Sequence, residues 1–105
     1  MTDFSPDKIY EAEMDAGNDW SDKDNAARVL EESKKSVLAE IMLDSPSSTN
    51  AAKEMEALAS KQYRQYVLEM CMAKREANKA RVKYDAIRTL ADNRRTEAVN
   101  RRLGG

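Results

Sequence analysis

The chain has 105 residues with no histidine and a single cysteine, Cys71, which removes a His-based catalytic triad, a disulfide framework and a paired-cysteine zinc site; no cofactor or metal is expected. Charged residues at 35% against aromatics at 6% favour one all-α domain over a compact β fold. The net charge of −1 conceals an asymmetry, with 14 acidic and 6 basic side chains in residues 1–60 and 5 acidic and 12 basic in residues 61–105. Two halves of opposite sign can neutralise each other by folding back, or each can meet a different partner.

Met1-Thr2-Asp3 opens without a basic or apolar signal segment, and no apolar run approaches the roughly 20 residues a membrane span needs. The expectation is a cytoplasmic protein with a reduced thiol and no membrane contact. In residues 1–20, Ser5-Pro6-Asp7 reads as a helix start, with Phe4 and Ile9 placed for a hydrophobic staple and Gly17 as the stop. This segment is expected to be a short acidic helix over Pro6 to Ala16, or a frayed acidic arm.

Trp20 then precedes Ser21 and Asp24, a capping-box spacing that predicts a second helix to about Leu43, with Ala26, Leu30, Val37 and Ile41 on one face and Val29, Leu38 and Met42 widening it. Trp20 is read as a packing anchor at the joint. Residues 44–50 are the connector, marked by Pro46 among serines, and Ala51 to Ala59 is a brief helix. Ser60 either caps the helix that follows or marks a mild kink within it.

From Lys61 to Arg102 no proline or glycine occurs, and Tyr63, Tyr66, Met70, Ala73, Ala77, Ala80, Tyr84, Ile87, Ala91, Arg94 and Ala98 step alternately by three and four. This is a coiled-coil seam on a helix roughly 60 Å long, which a chain of this size cannot wrap in a globular core. Part of it must meet a partner or solvent. Leu103-Gly104-Gly105 is read as a frayed end, and Cys71 as a small apolar filler beside the seam.

One flank of the seam carries Lys74, Arg81, Arg88, Arg95 and Arg102, while the other includes Glu69, Glu76 and Glu97. A parallel homodimer would pair Glu69 with Lys74, Glu76 with Arg81 and Glu97 with Arg102, and would set Lys83 against Arg88 in a repulsive pair. The short connector favours instead an antiparallel helical hairpin over residues 21–105, in which Glu31, Glu32, Glu40 and Asp44 face the basic edge, with dimerisation as an addition. Arg94, Arg95, Arg101 and Arg102 form a cluster able to grip phosphate or an acidic protein surface, or simply to complement the helix dipole.

The succession Tyr63-Arg64, Ala73, Ala77, Ala80, Tyr84, Arg95-Thr96, Ala98 and Arg101-Arg102 resembles small helical accessory proteins of tailed phages and prophages. That resemblance implies a setting early in infection, near recombination or replication, in a bacterial host cytoplasm. The leading expectation is a non-enzymatic interaction protein that binds a protein partner through Tyr63, Tyr66, Met70, Ala73, Ala77, Ala80, Tyr84 and Ile87. The alternative is a nucleic-acid accessory factor using Lys74, Arg81, Arg88, Arg94, Arg95, Arg101 and Arg102.

Overall fold

The computed structural model describes residues 6–104, and they are all-α: α1 spans Pro6–Glu32, α2 Lys34–Leu43, α3 Asn50–Ala59 and α4 Lys61–Gly104. The expected Ser5 cap and Phe4 staple lie outside the described residues, as does Gly105. No helix among the described residues is long and apolar enough to cross a membrane.

The first half departs most from expectation. Gly17 does not stop a helix: α1 continues through it to Glu32, and no glycine among the described residues has positive φ. Its reason is lateral contact. A Cβ on Gly17 would sit 3.2 Å from Cε1 of Tyr84, so the missing side chain is what lets that ring approach the backbone. Ser21 and Asp24 are helix interior rather than a cap, and Asp24 instead pairs with Arg28 at 3.2 Å one turn on, as Asp19 does with Lys23 at 3.0 Å. The expected helix from Ser21 to Leu43 is divided at Ser33, a single turn residue between α1 and α2 that keeps right-handed backbone, with φ of −83° and ψ of −5°. Hydrogen bonds from Ser33 N to Val29 O and from Val37 N to Ser33 O flank it, each 3.0 Å, so the interruption is confined to that turn.

The chain leaves helix after Leu43 and re-enters at Asn50, where the Thr49 hydroxyl accepts from Ala52 N at 3.2 Å. Ser60 is a cap and not a kink. It adopts extended backbone, donates its hydroxyl to Ala57 O at 2.6 Å and accepts from Tyr63 N at 3.1 Å, so one side chain closes α3 and opens α4. The expected fray at Leu103-Gly104 is absent, since α4 runs through Gly104.

The described residues form two compact units, 6–23 with 76–104 and 24–75. The first unit packs α1 on α4 through Ile9, Ala16, Ala77, Ala80 and Ala91, all buried, with Trp20 stacked on Tyr84 at a centroid distance of 5.5 Å and 32° between planes. Trp20 is thus an anchor inside a helix rather than at a joint. Glu13 reaches Arg95 at 3.4 Å across the same pair of segments.

The second unit is held around buried Ala27, Ala57 and Met70. The Tyr66 hydroxyl donates to Leu30 O, and Ser45 and Ser47 both donate to the carboxylate of Glu56, tying the connector to α3. Glu31 pairs with Lys74 at 3.0 Å. In register, Ala27 and not Ala26 faces inward.

Eight apolar residues are buried among those described, and six of them are alanines. A methyl group removed from water contributes about 0.8 kcal/mol, so Ile9, Met70 and the half-buried aromatics contribute more per residue than the alanines do.

Candidate functional site

The three-four rhythm of α4 coincides with its burial as far as Ala91. Met70, Ala77, Ala80 and Ala91 are buried, while Tyr63, Tyr66, Ala73, Tyr84 and Ile87 are half-buried. The covering atoms belong to this chain: Trp20 and Gly17 on Tyr84 in the first unit, Leu30 on Tyr66 in the second. Beyond Ala91 the rhythm loses its cover, and Arg94 and Ala98 are exposed at the next two seam positions.

The matching rhythm on α1 escaped sequence reading. Ile9, Glu13, Ala16, Trp20, Lys23, Ala27 and Leu30 step by four and three and are all buried or half-buried. Two charged residues occupy seam positions and Gly17 sits beside them, which hid the pattern. The signal that could have exposed it is the offset between Ile9, Ala16 and Leu30, all multiples of seven.

All seven cations considered for phosphate or acidic partners are exposed, yet most have carboxylates or amides beside them. Lys74 pairs with Glu31, and Arg81 donates to Asn78 Oδ1 at 2.8 Å. Arg95 is shared between Asp92 at 2.8 Å and Glu13 at 3.4 Å. Arg94 and Arg101 approach one carboxylate, that of Glu97, at 3.3 and 3.9 Å. Arg88 and Arg102 have no side-chain partner among the described residues.

Two clefts stand out. In the first unit, a cleft of about 330 Å³ has Pro6, Ile9, Ala91 and Ala98 as its apolar wall, with Arg94 and Arg101 at its edge. In the second, a more open cleft of about 390 Å³ lies beside Val37 and Ile41 and is edged by Glu40, Asp44 and Glu69. No cluster of three or more potential metal ligands occurs among the described residues. Among the described residues, Glu56 is the carboxylate held below its ordinary value, chiefly by the Ser45 hydrogen bond and then by that of Ser47.

Cys71 is exposed rather than tucked beside the seam. It lies with Leu68 and Met72 on the outward side of α4, and both of these are more than half exposed. No protein-family model, curated protein or solved structure matches the chain.

Proposed function

We propose that this is a non-enzymatic helical interaction protein whose two units are each antiparallel helix pairings and which docks a protein partner on the outward side of α4. One observation carries the reading. Among the described residues the buried side chains are mostly alanine, while eleven large apolar side chains are exposed, Leu68, Met72, Met55 and Leu43 among them. Large apolar groups left in water beside an alanine-rich core are what a binding surface provides.

The surface is not the seam expected from sequence. Along the seam α1 already meets Tyr66 through Leu30 and Tyr84 through Gly17 and Trp20, so we assign the partner to the other side of the helix, where Leu68, Cys71 and Met72 are exposed. Antiparallel pairing is supported within the first unit by Glu13 meeting Arg95 while Trp20 meets Tyr84: contacts ascend along α1 as they descend along α4. A phage or prophage accessory role in a bacterial cytoplasm belongs to the same proposal and rests on the alanine and arginine spacing of α4.

Nucleic-acid binding is the weaker reading, because Lys74 is paired with Glu31, Arg95 with Glu13 and Asp92, and the remaining cations are interspersed with Glu97 and Asp92 rather than forming an unbroken basic face. The test is affinity capture from bacterial extract with the intact protein and with a Leu68→Asp, Met72→Asp double variant, alongside a duplex-DNA shift assay at low salt. A partner retained by the first and lost by the second is the expected result. Equal capture by both would overturn the outward surface as the docking site, and a DNA shift with a steep salt slope lost on Arg94 and Arg101 substitution would replace the proposal with its rival.

A further inference from the structure

The two clefts differ in the sign of their edges, and the difference has a counterpart in an exposed side chain. At the end of α2, Leu43 is 81% exposed, among the most exposed of the large apolar residues described. Glu40, at i−3 and so beside it on the helix surface, and Asp44, which caps the helix end, are both exposed, so an apolar knob lies at a helix end that carries two carboxylates.

The first-unit cleft has complementary features. Its wall of Ile9, Ala91 and Ala98 is apolar, and at about 330 Å³ it has room for one leucine side chain. Arg94 and Arg101 share the single carboxylate of Glu97, the second of them at 3.9 Å, leaving two guanidinium groups with an excess of donors over acceptors. A carboxylate arriving beside the cleft would complete these pairs.

We infer that two copies of this chain associate head to tail, with Leu43 of one copy seated in the Ile9–Ala98 cleft of the next and Glu40 and Asp44 meeting Arg94 and Arg101. This deepens the interaction reading above by adding a second copy as a partner, and it uses none of the outward residues Leu68 and Met72. The contact is heterologous: in a pair joined by one such contact, one copy keeps a free cleft and the other a free knob, to which further copies can add as concentration rises. With one anchor side chain and exposed ion pairs, the interface is smaller than those of stable complexes and weakens with salt.

Two substitutions separate its halves. Ala98→Trp fills the cleft from an exposed helix position, and Leu43→Glu removes the knob at another, so circular dichroism should report unchanged helicity in both. Sedimentation equilibrium at low salt is expected to show the average mass of the unmodified protein rising with concentration, and each variant remaining monomeric, its association weakened at least about tenfold. The equimolar mixture decides the matter. Ala98→Trp copies retain the knob and Leu43→Glu copies retain the cleft, so the mixture should form a species of twice the monomer mass and nothing larger. A monomeric unmodified protein, variants that associate as it does, or a mixture that stays monomeric would each overturn the inference, while capture of a partner through Leu68 and Met72 would be unaffected.

Discussion

Around Gly17, the first unit brings α1 and α4 together by subtraction: a glycine and alanines clear the space into which Tyr84 and Trp20 stack. Between Asp44 and Ser60, the second unit relies on hydroxyl groups, with Thr49 and Ser60 capping helices, Ser45 and Ser47 bonded to Glu56, and Tyr66 bonded to Leu30 O. The two regions place their stability in different physical terms. Shape complementarity in the first has no substitute once the ring or the gap is lost, whereas the second distributes its cohesion over hydrogen bonds worth about 1 kcal/mol each.

That contrast can be broken by mutation. Trp20→Ala should have the largest effect, about 2–3 kcal/mol, below the range for fully buried aromatics because Trp20 is half-buried. Urea unfolding gives the total, and hydrogen exchange should place the loss in residues 6–23 and 76–104 first. In the second unit, Tyr66→Phe removes one hydrogen bond and leaves the ring, so about 1 kcal/mol is expected from the same urea measurement.

Gly17→Ala sharpens the comparison further. Elsewhere in a helix that change stabilises by about 1 kcal/mol. Here the new methyl meets Tyr84 at 3.2 Å, so most of the gain should vanish. It should reappear in a Tyr84→Ala background, and a double-mutant cycle reads the difference as coupling between the two positions. An uncoupled cycle would mean that the glycine is not there for the ring.

The smallest effect concerns Glu56. A carboxyl held below its ordinary value contributes stability that is present above the unfolded value and is lost as pH falls through the lowered one. Acidification below the usual carboxylate range should therefore release Ser45 and Ser47 without unfolding the first unit. Carbon-13 shifts of the Glu56 carboxyl follow the titration, and Glu56→Gln should abolish the response of the connector amides.

The contrast also explains what the sequence disclosed. The seam of α4 was legible because alanine, tyrosine and methionine occupy its positions with no glycine or proline among them, and the connector because Pro46 and its serines cannot extend a helix. α1 was obscured by the residues that make its packing work. Gly17 looks like a stop when it is a space, Ser21 and Asp24 have the spacing of a cap while serving as helix surface, and Glu13 and Lys23 place charge on the inward side. The division at Ser33 left no local mark, since serine is common both within helices and at their ends. Both clefts join residues distant in sequence, and only the burial of α4 stopping at Ala91 showed that the arginine end differs from the rest of the seam.

The central claim is that the chain covers its own seam, leaving the outward surface for others. Trp20 is the sole tryptophan, so its emission reports one contact, the stack on Tyr84. The most direct measurement is Trp20 emission and its response to Tyr84→Leu across a wide range of protein concentration. An intramolecular seam gives a spectrum independent of concentration, changed by the substitution to the same extent at every dilution. A spectrum that shifts toward that of solvent-exposed tryptophan on dilution would show that another molecule supplies the cover.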